Sequence, residues 1–152
     1  MSARLEVTFG APRGGWMRFT LRSGEQHVEL PISYTPYYSL LELTEVACSA
    51  LEPGWRSVAR LNTEPEEFEF VVEQRATAGT VRVSLWSRRA RNAPRELVLQ
   101  HDDDARLFAR TMWRALRRLE TVFDEQQWHW PFPRDAMSCL DTLSASRGIR
   151  SR

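Results

Sequence analysis

Residues 67–88 read Glu-Phe-Glu-Phe-Val-Val-Glu-Gln-Arg-Ala-Thr-Ala-Gly-Thr-Val-Arg-Val-Ser-Leu-Trp-Ser-Arg, and their pattern decides the fold. Phe68, Phe70 and Val72 alternate with Glu69, Val71 and Glu73, and Val81, Val83 and Leu85 alternate with Arg82, Ser84 and Trp86. A period of two sends successive side chains to opposite faces of a strand. The turn residues between them close the two runs into a hairpin. If Arg75 faces Thr80, then Glu73 faces Arg82, Val71 faces Ser84, Glu69 faces Trp86 and Glu67 faces Arg88. That register collects the apolar side chains on one face and sets opposite charges across from each other on the second, each pair contributing about 0.2–1 kcal/mol.

The same alternation recurs outward along the chain. Leu5, Val7 and Phe9 predict a first strand, and Gly10–Gly15 a break. Trp16 to Arg22 and His27 to Tyr34 predict a hairpin around Ser23-Gly24-Glu25, with Pro31 marking its return strand as an edge or a bulge. Thr35-Pro36 carries the residue types of a helix start, and Leu40, Leu43, Ala47, Ala50 and Leu51 form one apolar stripe up to Pro53-Gly54. Trp55 to Leu61 predicts a strand, Glu64 to Glu67 an acidic turn, 88–95 a basic loop, and Glu96 to His101 a further strand.

Asp102-Asp103-Asp104 is expected to start the strongest helix, 103–123, because carboxylates favour a helix N-terminus. Phe108, Met112, Ala115, Leu116, Leu119, Val122 and Phe123 fall on its apolar face, with Arg106, Arg110, Arg114, Arg117 and Arg118 opposite. The aromatic segment Trp128 to Pro133 reads as a core plug ahead of a short helix over 135–143, with Ala136, Met137, Leu140 and Leu143 inward. A peptide-binding aromatic groove is its functional alternative. The fold class is therefore α+β: an antiparallel sheet of about five or six strands, two main helices on one face and a short C-terminal helix. One domain over 1–146 and a flexible tail over 147–152 are expected.

Composition removes several chemistries. All 21 basic residues are arginine, so no lysine Schiff base, P-loop lysine or lysine general base is available. The net charge is +1, which gives no bulk attraction to nucleic acid or an anionic membrane. Its placement is uneven. Residues 1–76 hold seven Arg against eleven Glu, a balance of −4; residues 77–152 hold fourteen Arg against nine acidic residues, a balance of +5. The two halves either attract each other or present faces of opposite sign. Cys48 and Cys139 are too sparse for a secreted disulfide scaffold and read as small buried hydrophobes. No stretch approaches the roughly 20 apolar residues of a membrane span, and the start lacks a signal-like run, so a cytoplasmic location is expected.

No catalytic constellation emerges. His27, His101 and His129 lack metal-ligand spacing. His101 with Asp102–Asp104 is the best metal candidate, and it reads more simply as a strand end followed by a helix start. Ser138 and Cys139 with the distant His129 lack any nucleophile motif. No metal, no cofactor and no turnover are expected.

A series of positions carries a resemblance: Gly15-Trp16, Ser33-Tyr34, Glu64-Pro65, Glu69-Phe70-Val71, Phe108-Ala109-Arg110 through Leu116-Arg117-Arg118-Leu119, and the Trp128-x-x-x-Phe132-Pro133 ending. Over about residues 15–143 the chain resembles a family of small bacterial α+β proteins of uncharacterised function from high-GC genomes. It is also similar in size and style to immunity proteins encoded beside polymorphic secreted toxins. The shared positions are structural, so the resemblance implies no catalytic residue.

The expected function is a non-enzymatic, protein-binding domain, with neutralisation of a secreted bacterial toxin as the form that the resemblance implies. The expected partner site is the outward face of the central hairpin, Glu69, Glu73, Arg82, Trp86 and Arg88. Tryptophan and arginine dominate interface energies, and a Trp opposite a carboxylate on a solvated sheet face is unusual. The competing reading is a nucleic-acid-associated protein that uses the arginine face of helix 103–123 and the 88–95 loop.

Overall fold

The computed structural model describes residues 3–52 and 56–142. Seven strands and two long helices follow one another as β1 (Leu5–Phe9), β2 (Trp16–Ser23), β3 (Gln26–Ser33), α1 (Ser39–Ser49), β4 (Arg56–Asn62), β5 (Glu67–Gln74), β6 (Thr80–Arg88), β7 (Glu96–Asp104) and α2 (Ala105–Val122). A short α3 (Glu125–Trp128) and helical residues 138–142 follow. The fold is α+β and every strand pair is antiparallel.

The strands form two sheets, β1-β2-β3 and β4-β5-β6-β7, where the sequence predicted one. Pro31 helps to explain the division. Gly10 N donates to Arg18 O, so Arg18 turns its backbone groups toward β1. Its partner across β3, Pro31, therefore sits at a position whose nitrogen points away from β2. Proline has no N–H there, which suits an outer edge where a fourth strand would need a donor.

The predicted hairpin is present in the predicted register. Glu67 faces Arg88, Glu69 faces Trp86, Val71 faces Ser84 and Glu73 faces Arg82, with Arg75 N donating to Thr80 O at 3.0 Å. Phe70 stands at the centre of the core, edge-on to Phe19 of β2 at 5.9 Å and stacked on Phe108 of α2 at 6.3 Å. One hydrophobic cluster thus joins both sheets and both long helices.

The helices are also distributed differently from the expectation of two on one face. α1 packs against β4 and β5, α2 against β1 and β7, and the two helices touch. α1 also closes the outer edge of β4. Ser39 Oγ donates to Arg60 O at 2.6 Å, and Glu42 accepts from Arg60 N at 2.8 Å. Side chains of one helix residue pair thereby satisfy both edge-facing groups of Arg60, which would otherwise invite another strand.

Several element ends differ from the sequence reading, among them the start of the last helix, which lies at 138 rather than 135 because 134–137 form a turn in which Met137 N bonds the Pro133 and Arg134 carbonyls. α1 begins at Ser39, not at Thr35-Pro36, because Asn62 Nδ2 holds the Thr35 carbonyl at 2.8 Å in the preceding bend. β7 extends through Asp104, so Asp102 and Asp103 are strand residues. Asp104 alone caps α2, accepting from Leu107 N at 2.9 Å. α2 ends at Val122, which is 55% exposed rather than buried, while Phe123 turns back onto Phe132. Met137 and Leu140 are buried as expected and Ala136 is half-buried. The predicted helix end at Pro53-Gly54, the strand start at Trp55, Leu143 and the tail lie outside the described residues.

The cysteines correct a further expectation. Cys48 at the end of α1 and Cys139 in the C-terminal helix are half-buried and joined as a disulfide across a separation of 91 residues. They lie on facing surfaces because Met137 and Leu140 anchor the last helix in the core. Among the described residues, no helix is long and apolar enough to cross a membrane.

Candidate functional site

The outer face of the β4-β5-β6-β7 sheet is ordered in rows. The first runs Arg56, Glu73, Arg82, Asp102, so charge alternates across four strands. The third runs Arg60, Glu69, Trp86, Leu97. The five predicted site residues Glu69, Glu73, Arg82, Trp86 and Arg88 share this face, and each is half-buried.

Their charges find different partners from those the hairpin alone suggested. Arg82 turns to the far side and makes a two-pronged contact with Asp102, 2.8 Å from Nε and 3.2 Å from Nη2. Arg75 joins the same carboxylate at 3.2 Å. The Arg82 hydrogen bond holds the Asp102 carboxyl below its usual range, against the opposing effect of burial. Glu73 pairs with Arg56 instead, at 3.8 Å. Glu69 accepts from Arg95 Nη1 at 2.8 Å. The Arg95 guanidinium lies over the Trp86 ring, 4.5 Å from its centroid. One face of the indole is therefore covered by a side chain from the 88–95 loop.

Arg88 stands apart. Its predicted partner Glu67 accepts from the Tyr37 hydroxyl at 3.0 and 3.1 Å. Burial, followed by this carboxylate, pushes the Tyr37 phenol above its ordinary value. Arg60 lies over the Tyr37 ring at 4.3 Å. Arg88 Nε is buried with no hydrogen-bond acceptor among the described residues. Tyr37, Arg60, Glu67, Arg88, Arg89 and Arg91 line a cavity of about 510 Å³ beside the Trp86 corner. Among the described residues, Arg88, Arg89 and Arg91 have no carboxylate within 4.0 Å. Nothing in the sequence pattern exposed this isolation, because Tyr37 and Glu67 are thirty residues apart and meet only in the fold.

The predicted arginine stripe of α2 is reduced from five to four. Arg117 is drawn aside to Glu120 and Asp141. Arg106, Arg110, Arg114 and Arg118 have no carboxylate within 4.0 Å among the described residues. Among the described residues of the second half, the arginines without a carboxylate within 4.0 Å thus include two separate groups, one in the 88–95 loop and one on α2. The 88–95 loop leads into one end of β7 and α2 leaves the other, so the loop and the start of α2 lie at opposite ends of that strand.

His101 belongs to an arrangement that its sequence neighbours did not reveal. Its Nδ1 lies 2.7 Å from Ser23 Oγ; its buried Nε2 lies 3.2 Å from Asp103 Oδ2 but makes no hydrogen bond with it or with any other described residue. A serine, a histidine and an aspartate in series have the residue types of a hydrolytic triad. Ser23 and His101 are each only 6% exposed, so the hydroxyl has no path to a substrate. Beside it, Gln26 and Gln100 exchange two hydrogen bonds at 2.9 and 3.0 Å. The group ties the β2–β3 turn to β7. The three successive carboxylates diverge: Asp102 goes to Arg82, Asp103 to His101 and Asp104 to the helix cap. Cys139, engaged with Cys48, is likewise no nucleophile beside His129, which packs on Tyr34 at 4.6 Å.

The aromatic plug behaves as expected at Trp128 and Phe132, both buried. Gly15 makes room for Tyr34 and His129 beside it: at a φ of +84°, a Cβ there would lie 2.7 Å from the Tyr34 ring and 3.3 Å from the His129 ring. Trp130 remains at the surface against Tyr38, at 4.5 Å, beside an apolar cavity of about 530 Å³. In comparisons with protein-family models, curated proteins and solved structures, nothing matched this chain.

Proposed function

We propose that the chain is a non-enzymatic, protein-binding domain whose partner presents carboxylates to the Arg88–Arg91 corner of the outer sheet face. The observation that carries this reading is the contrast across one surface. Glu69, Glu73 and Arg82 are neutralised within the protein, whereas Arg88, Arg89 and Arg91 have no carboxylate within 4.0 Å among the described residues, Glu67 and Glu69 in the same cavity being engaged by Tyr37 and Arg95. A guanidinium fork matches a carboxylate in a two-pronged, charge-assisted contact. Trp86 and Arg95 form the adjoining wall, and residues of these types carry much of the energy of protein interfaces.

A secreted bacterial toxin, held inactive by this domain, is the partner class suggested by the resemblance in size and style. The absence of turnover is part of the same proposal, supported by the burial of Ser23 and His101. The Cys48–Cys139 bond weighs against a cytoplasmic location, because such bonds persist chiefly in oxidising compartments.

The second reading, nucleic-acid binding, is favoured by the unpaired row on α2. Both readings are separated by one experiment. Tagged wild-type chain and an Arg88→Glu, Arg91→Glu variant are recovered from nuclease-treated cells of the source organism, and bound proteins are quantified. A protein enriched by the wild type and lost with the variant supports the proposal. If no protein is enriched, and DNA or RNA binds with a steep salt slope, the second reading holds.

A further inference from the structure

β1 is paired with a strand on one side only, β2, and its Leu5 and Val7 are 5% and 6% exposed. Gly10 N bonds Arg18 O across the β1–β2 ladder, and antiparallel pairing alternates from there. The backbone N–H and C=O of Leu5 and Val7 therefore point away from β2, along the edge of the three-stranded sheet. No strand or loop among the described residues bonds them. This contrasts with β4, whose edge is closed by Ser39 and Glu42.

Alongside that edge runs a cavity of about 740 Å³ between β1 and α2. Its helical wall carries Arg110, Arg114 and Arg118 at intervals of four. Residues four apart on a helix rise about 6 Å, and alternate residues of a strand advance about 6.6–6.8 Å. The two repeats keep step over three positions. α2 and β1 also run the same way: the start of β1 lies by Gly24, next to Ser23, and Ser23 reaches His101 just before α2.

We propose that β1 accepts an added antiparallel strand from another protein, an extended segment with acidic side chains at alternate positions. A residue opposite Leu5 or Val7 would share their backbone hydrogen bonds and point its side chain to the same side of the sheet, toward α2. There it meets the arginine row, which has no carboxylate within 4.0 Å among the described residues; Glu6 and Asp103 line the same cavity, and the nearest cationic groups to them are Arg22 and His101. The intervening side chains face solvent and are unrestricted. Recognition thus combines backbone pairing with charge at every second residue. This surface shares no residue with the Arg88 cavity, so the two proposals stand or fall separately.

The test uses a fluorescent Thr-Glu-Thr-Glu-Thr-Glu-Thr peptide and the full chain. Binding by anisotropy is expected, weakened at least about tenfold by replacing Glu with Lys and by Arg114→Glu. N-methylation of the glutamates should abolish it, because their N–H groups face β1. N-methylation of the threonines, whose N–H groups face away, should be tolerated. Amide shifts at Leu5 and Val7 would accompany binding. No binding, equal binding of the Lys peptide, indifference to glutamate N-methylation, or displacement of the peptide by tighter-binding DNA or RNA would each overturn the proposal.

Discussion

The Arg95 guanidinium covers the Trp86 indole at 4.5 Å and at the same time donates to Glu69, the residue that faces Trp86 across the hairpin. One loop side chain therefore fixes both members of a cross-strand pair. Arg95→Ala should cost about 0.5–1 kcal/mol, the range of an exposed cation–π contact, and should leave the hairpin register intact. Denaturant unfolding and amide shifts along 67–88 measure both.

The bond between Cys48 and Cys139 closes a loop spanning 91 residues. Crosslinking so long a loop restricts the unfolded chain, and its removal typically costs about 2–5 kcal/mol. Unfolding of the oxidised chain against a Cys48→Ser, Cys139→Ser variant should show a loss in that range. Two free thiols in the native, untreated protein would contradict the pairing.

Leu116 is fully buried in the core, whereas Arg114 on the same helix is exposed. Leu116→Ala should cost about 2–5 kcal/mol, the usual range for a large-to-small core change. Arg114→Ala should stay within about 0.5 kcal/mol of the wild type. Comparable losses would mean that α2 presents the opposite face to the core.

The ion pair between Arg82 and Asp102 predicts a pH dependence of definite sign. The Arg82 hydrogen bond lowers the Asp102 value in the folded chain, so the charged carboxylate favours folding above the unfolded value of about 4. That contribution disappears as pH falls through the lowered folded value. The stability gap between wild type and Arg82→Gln should therefore be constant from neutral pH down to about 4 and close at more acid pH. Denaturant unfolding at a series of pH values reads the gap; a gap independent of pH would remove this pair as its origin.

The hairpin over 67–88 was legible because apolar alternation on both arms and a short turn leave one register that buries one face. α2 was legible for a similar reason, its apolar and arginine faces being separated cleanly. The features that escaped depend on contacts between distant segments. Thr35 is a good cap by type, but Asn62, 27 residues later, takes its carbonyl. Glu67 faces Arg88 as expected, yet Tyr37 occupies its carboxylate and leaves Arg88 without a partner. Pairing of Cys48 with Cys139 depends on how the last helix packs, which local periodicity does not encode. Division into two sheets follows the same logic, since Pro31 marks an edge without saying what lies beyond it.

The central claim is that the Arg88 corner binds a partner's carboxylates. Its most direct measurement is the dissociation constant of the purified partner for wild type, Trp86→Ala and Arg88→Glu, with Arg106→Glu on α2 as a control. Each of the first two changes should weaken binding at least about tenfold, 1.4 kcal/mol, and the third should have little effect. Unchanged affinity in both Trp86→Ala and Arg88→Glu, with the partner still bound, would contradict the claim.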